Sequence, residues 1–229
     1  MIKDIPQDKE DVKLLYANFL KGKKIVVVVP SSHLIGSNNG KLIDSYDLVI
    51  RVSIGYKVPS RLRLDFGTRT DILYNSMLPQ RGSGITMPIG KLKKELKWVC
   101  ASYPAEKHIP NIKNFIKKNN SRIPFHIVDK NYWDFLTSVM RIPNVGTVAI
   151  FDSLNHDISE LYVTGITFYQ KAGKKDGTFY YNGYQKDSKR IPTNTSKHRP
   201  RKQFKYFRKI YKKDKRIKCD NFLKGILEK

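Results

Sequence analysis

The sequence predicts an α/β protein built on one mostly parallel, doubly wound sheet with helices on both faces. Three observations lead there. Short β-branched runs recur along the chain, led by Ile25-Val26-Val27-Val28-Val29. Stretches with apolar residues at helical spacing separate them, so strands and helices alternate. The strands are continuously apolar, as strands covered on both faces are. The 229 residues, 40% of them hydrophobic, suffice for a sizeable core and are read as a single domain, 1–229.

The elements follow in order. Asp8 suits an N-cap, Val12, Leu15, Tyr16 and Phe19 then recur at helical spacing, and Gly22 suits the stop. The run from Ile25 to Val29 is the first strand, ended by Pro30-Ser31-Ser32. A short helix over 37–44 leads to a second strand at 48–50. Further strands are expected at 71–74, 98–101, 125–128 and 161–164, the last closed by Gly165. Helices over 90–97, 109–118, 132–140 and 146–155 lie between them. Residues 24–170 would thus form a nucleotide-binding core, because such sheets bind ligands at the carboxyl ends of their strands. The stretch 171–197, rich in Gly, Lys, Tyr, Asn and Thr, reads as a long loop. Phe204, Phe207, Ile210 and Tyr211 predict a basic helix over 201–213 with one apolar face.

Charge narrows the partners. Forty-four Lys and Arg against 20 Asp and Glu give +24. The last 59 residues carry 20 basic and 5 acidic residues, a net +15, which leaves +9 for the first 170. Such an excess favours an anionic ligand or a peripheral contact with an anionic surface. Two cysteines, Cys100 and Cys219, are too few for a disulfide scaffold and lack metal-ligand spacing, so a reducing compartment is the default. No signal-peptide core is visible at the N-terminus, and the longest apolar run falls far short of the roughly 20 residues that span a bilayer. The expectation is a soluble, cytoplasmic protein.

Four constellations bear chemistry. Pro30-Ser31-Ser32-His33 joins the first strand to a helix and offers N–H groups and hydroxyls to a phosphate. It carries neither GxGxxG nor GxxxxGK[ST], which disfavours a dinucleotide or P-loop site. The second spans Ile43 to Ser53 and Asp65 to Asp71. Its acids, Asp44, Asp47 and Asp71, are read chiefly as partners of Arg51 within the fold. Asp65-Phe66-Gly67 has no Gly-rich or HRD loop beside it, which excludes a kinase. Third, Pro143-Asn144-Val145-Gly146-Thr147 opens a helix towards the carboxyl ends of the strands. Fourth, His198 precedes the basic helix and is the natural base near neutral pH. No Asp-x-Asp pair and no His/Cys/acid set at metal spacing occurs, so neither a metal nor another cofactor is expected.

In this order the segments resemble the sialyltransferases of glycosyltransferase family 29. The long family motif is similar to VVVVPSSHLIGSNNGKLIDSYDLVIRVS with DFGTRTDILYNS. The short motif resembles PNVGTVAIFDSLNHDISELYVTGITFY. The final motif resembles His198-Arg199-Pro200-Arg201-Lys202-Gln203, and Tyr180-Tyr181-Asn182-Gly183-Tyr184 lies where the family has its small third motif. These motifs cover about half of the chain. Pro30 and Ser53 stand where the family has Asn, Gln203 where it has Glu, and the third-motif His has no counterpart. The cysteine pair of the animal enzymes is missing, so the chain looks more like the short bacterial or viral members.

The resemblance implies a Rossmann-like fold of the GT-A variant. It implies metal-independent transfer of sialic acid, or the related sugar Kdo, from its CMP conjugate to a glycan hydroxyl with inversion. His198 would be the base. Ser31, Ser32, Ser53 and Asn75 would hold the CMP phosphate and ribose, Asn144, Gly146 and Thr147 the cytidine side, with Gly165 and Thr167 beside the nucleotide. Tyr180, Tyr181 or Tyr184 would give a hydroxyl to the leaving phosphate. Two other readings stand beside this one. A nucleic-acid-binding protein would use the charge and the aromatics of Lys205-Tyr206-Phe207-Arg208-Lys209, yet no RRM, KH or zinc-finger signature accompanies them, and no specific nucleic acid is expected. A catalytically inactive, nucleotide-binding relative is the other.

Overall fold

The computed structural model describes residues 10–78, 96–119, 123–170, 179–181 and 198–229. Among these residues seven strands form one sheet: β1 Lys24–Val28, β2 Leu48–Val52, β3 Ile72–Asn75, β4 Trp98–Ala101, β5 Phe125–Ile127, β6 Glu160–Thr164 and β7 Ile217–Cys219. Their order is β5-β4-β3-β2-β1-β6-β7, and every pairing is parallel. The chain winds outward from β1 to β5, then returns to place β6 on the other side of β1. The winding direction therefore reverses between β1 and β6, where open α/β sheets carry their ligand crevice.

Alternation along each strand sorts the core into two faces. Ile25, Val27, Ile50, Tyr74, Leu161 and Val163 face one side, under α1 Glu10–Leu20, α5 Lys130–Met140, α6 Val145–Leu154, α7 Pro200–Tyr211 and α8 Asn221–Leu227. Val26, Val28, Val49 and Tyr162 face the other, packed with Ile43 of α2 Gly40–Asp44 and Phe66 of α3 Arg63–Phe66. Leu73, Val99 and Phe125 on that second face meet Ile112 and Phe115 of α4 Ile109–Asn119. Such double coverage explains why the strands read as unbroken apolar runs.

The six expected strands lie within a residue or two of their predicted places. Leu15, expected on the buried face of α1, is 59% exposed, because Tyr16 and Leu20 make that contact. The expected helix 90–97 lies outside the described residues except for Leu96 and Lys97, neither of which is helical. β7 comes from the basic C-terminal third, 171–229, which was read as a loop followed by helices with no strand. Arg216 draws that segment in by donating to Leu154 O and His156 O at the end of α6.

Arg51 is fully buried and pairs with no acid among the described residues. Its guanidinium donates to Arg69 O and Phe66 O, which corrects the expected ion pairing, and burial lowers its pKa to about 10. The acids have other structural duties. Asp44 accepts from the backbone N–H of Thr68 and Arg69, Asp47 accepts from Lys24 N–H, and Asp71 pairs with Arg69 and Lys97.

One buried polar network ties α1 and α6 to the sheet. The Asp152 carboxylate accepts from Tyr74 Oη at 2.6 Å and lies 3.0 Å from His126 Nε2. Tyr16 Oη lies 2.9 Å from Tyr74 Oη, and the Tyr16 ring stacks on His126 at 4.0 Å. Burial pushes the Asp152 carboxyl up. The charge and hydrogen bond of His126, with His156 and Tyr74, outweigh it and hold the net value below the ordinary one. Burial also lowers His156, with Asp152 opposing and His126 adding to the drop.

A depressed base favours an unfolded state that binds more protons as pH falls below about 6.5, and a depressed carboxylate loses its contribution as pH falls below about 3.9. Melting temperature should fall in two stages on acidification, first below about pH 6.5 and again below about pH 4. His156→Asn should flatten the first stage in melts followed by circular dichroism.

Candidate active site

An open cleft lies over the carboxyl ends of β1 and β6. Its floor is a close approach of two backbones. Val29 N–H donates to Thr164 O at 2.9 Å, and Gly165 follows with φ +75°. A Cβ on Gly165 would sit 1.9 Å from Val29 O, so glycine is required there by both backbone angle and space.

The N-terminus of α6 opens onto the same cleft. Asn144 caps it: Oδ1 accepts from Thr147 N–H at 2.9 Å and lies 3.1 Å from Thr147 Oγ1. Gly146 brings α6 against Val29, where a Cβ would lie 3.1 Å from Val29 Cγ2. The far wall is the turn Thr167-Phe168-Tyr169 together with Phe179 and Tyr180. Tyr169 Oη and Tyr180 Oη are 2.5 Å apart, and burial raises the Tyr169 phenol above its ordinary range although the Tyr180 bond opposes it.

His198 also lines the cleft. Its Nδ1 lies 3.0 Å from Ile142 O. A carbonyl only accepts, so Nδ1 carries the hydrogen and Nε2 keeps the lone pair in the neutral ring. Gln203, fully buried on α7, locks this arrangement. Its Oε1 accepts from Thr147 Oγ1 at 2.7 Å and from Asn144 N–H at 3.3 Å, and its Nε2 donates to His198 O. One amide therefore ties the histidine segment to the cap of α6. Backbone strain gathers here as well. Ser53, Phe168 and Tyr169 line the cleft with positive φ, and Arg199 beside His198 has φ 40°.

Of the residues chosen from sequence, Ser31, Ser53, Asn144, Gly146, Gly165, Thr167, Tyr180 and His198 line this one cleft. Ser32, Asn75 and Thr147 do not. Thr147 is buried and occupied by Asn144 and Gln203. Asn75 is buried at the tip of β3, where its Oδ1 accepts from Met77 N–H. Ser32 is buried and donates its N–H to Phe179 O. Tyr181 is placed differently from the leaving-phosphate role read for it: it is buried on the second face of the sheet, its ring edge-on to Phe66 at 5.0 Å. Successive side chains of an extended segment point opposite ways, so Tyr180 faces the cleft and Tyr181 the core. Tyr184 lies outside the described residues. Sequence reasoning missed Tyr103 and Tyr169. Tyr103 follows β4, and a residue just past a strand tip is the signal that would have found it.

The aromatics of the nucleic-acid reading are engaged elsewhere. Phe207 is fully buried, Phe204 packs on Phe168, and Tyr206 packs on Phe151 and Phe135. Among the described residues, His126, Asp152 and His156 place ligand atoms within 4.8 Å of one another, a grouping the linear spacing hides. Such groups can hold a divalent ion, but Asp152 is already bonded to Tyr74 and His126, and the cluster lies in the core beneath α1.

No family model matches the sequence, and no curated protein matches it. Solved structures do match. A mammalian sialyltransferase in complex with Gal-β-1,3-GalNAc-ortho-nitrophenol aligns with TM-score 0.58 and 15% identity over 90% of this chain and 72% of that one. The sialyltransferase CstII from Campylobacter jejuni, in complex with the substrate analogue CMP-3FNeuAc, aligns with TM-score 0.54 and 15% identity over 90% and 84%. CST-II with a trisaccharide acceptor and CMP aligns with TM-score 0.52 and 17% identity over 86% and 80%. The chain has the fold of these sialyltransferases, a GT-A-like α/β sheet. No helix among the described residues is long and apolar enough to cross a membrane.

Gln203→Glu tests the amide lock. A carboxylate cannot donate to His198 O, so the variant should lose about 1–3 kcal/mol of stability at pH 7 by denaturant unfolding. The deficit should shrink below pH 5, where a protonated carboxyl donates again.

Proposed function

We propose that the chain is a glycosyltransferase that moves an acidic sugar from its CMP conjugate to a glycan hydroxyl. The observation that carries this reading is the cleft between the β1 and β6 tips. It joins a hydroxyl-bearing turn, a capped helix N-terminus and an imidazole with an oriented lone pair, on a fold shared with sialyltransferases crystallised with CMP ligands.

Each part has a physical task. The phosphate of the nucleotide lies near Ser31 and Ser53, and the N-terminus of α6 with Gly146 meets the rest of the nucleotide. One phenol of the Tyr169–Tyr180 pair donates to the other, so the pair offers a single phenolic hydrogen at the leaving side. The acceptor oxygen attacks the anomeric carbon and gives its proton to His198 Nε2. The bond from that carbon to the phosphate oxygen breaks, its electron pair stays with CMP, and the configuration inverts. Sialic acid and Kdo are both donors of this class. Side chains and backbone meet the single phosphate, so a metal has no required task. Neutralisation of anionic donor and acceptor suits the +24 charge.

His198→Ala should lower turnover about 10²–10⁴-fold while CMP affinity changes little, measured by CMP release and by calorimetry. Unchanged turnover would remove His198 from the role of base. In the same assay, excess EDTA should leave the rate unchanged. A strict dependence on a divalent ion would point to another donor class.

A further inference from the structure

His33 sits behind the cleft, two residues past Ser31, in the 3-10 turn that follows β1. Its Nδ1 lies 3.0 Å from Ser31 Oγ, and its Nε2 lies 3.3 Å from Asp220 Oδ2. Asp220 arrives from the far end of the chain, between β7 and α8. Its Oδ2 also accepts from Thr164 Oγ1 at 2.8 Å and Gly165 N–H at 2.9 Å, and its Oδ1 accepts from Leu223 N–H at 2.8 Å. Burial pushes the Asp220 carboxyl up, but the bond and charge of His33 and the two N–H donors outweigh it and leave the net value below the ordinary one. Asp220 is therefore an ionised acceptor, so His33 Nε2 carries a hydrogen.

That fixes one end of the ring and leaves two states at the other. With Nδ1 bare, it takes the hydrogen of the Ser31 hydroxyl, and Ser31 turns lone pairs towards the cleft. With Nδ1 protonated, the ring donates to Oγ, and the hydroxyl hydrogen is released to the cleft. An anion is repelled by the first state and bound by the second. The Phe222 ring lies 4.4 Å from His33 and screens the pair from water.

We propose that Ser31, His33 and Asp220 form a proton-linked anion receptor: a nucleotide phosphate arriving at Ser31 draws a proton onto His33, and the charged ring makes Ser31 a donor. The proposal rests on the nucleotide reading above. His33 is a positioning residue that acts through Ser31. No covalent bond forms to the three residues. As CMP leaves, its phosphate oxygen keeps the electron pair of the broken bond, and the added charge strengthens the Ser31 contact. Among the described residues, the other titratable groups facing this set are Tyr162 of β6 and Cys219 of β7, which act on Asp220, and Tyr180 across Ser31. Burial, with the Asp220 charge, raises Tyr162 to about 12 and Cys219 further still, so both stay neutral between pH 6 and 8.

Calorimetry of the full chain with CMP, in buffers of different ionisation enthalpy at pH 6.5, counts the protons taken up. The wild type should take up more protons per CMP than His33→Gln. The ratio of wild-type to variant affinity should rise as pH falls. Equal proton counts and a constant ratio would overturn the receptor while leaving the nucleotide reading in place. Absence of CMP binding by the wild type would overturn both. The wild type also decides alone if the variant does not fold: a proton count no greater than the CMP phosphate itself accounts for overturns the proposal.

Discussion

One contact sets the site: the backbone of β6 passes so close to the end of β1 that only a residue without a Cβ fits at Gly165. The sheet reverses its winding between these two strands, so their carboxyl ends stand side by side with no crossover above them. The crevice, the helix cap at Asn144 and the Asp220 bond to Gly165 N–H are all referred to this contact. A bulkier residue would part the tips and move each of these groups at once.

The surrounding polar groups convert that geometry into a rigid frame. Gln203 joins the cap of α6 to the peptide of His198, so the imidazole takes its position from the central helix and not from its own loop. Asp152 fastens the far part of α6 to β3 and β5 through Tyr74 and His126. α6 is buried along most of its length, and a helix covered on all sides moves only if its neighbours move. The strained residues Ser53, Phe168 and Tyr169 can persist because this frame over-determines them.

Much of this was legible in the sequence, for a physical reason. Parallel strands covered on both faces are local apolar runs, so six strands were visible one by one. β7 was not, because Ile217-Lys218-Cys219 is a three-residue edge strand with an exposed lysine in its middle. The cleft residues were legible where they follow strand tips or open a helix, as Ser31, Ser53, Asn144 and Gly165 do. Burial was not: Ser32, Asn75 and Thr147 have the same chemistry as their neighbours and differ only in direction. Pairings across the fold were hidden too. His33 and Asp220 are 187 positions apart, and no spacing rule joins them. Arg51 looked like an ion-pair partner of Asp44, Asp47 and Asp71, yet the turn at Phe66 and Arg69 presents carbonyls first.

The central claim is that one cytosine mononucleotide is gripped between the tips of β1 and β6, with an imidazole beside it. A crystal of the chain soaked with CMP tests this most directly. The account predicts nucleotide density in the cleft, with the phosphate against Ser31, the remainder under the N-terminus of α6, and His198 at the open side. Density at another surface, or an empty cleft at saturating CMP, would contradict it.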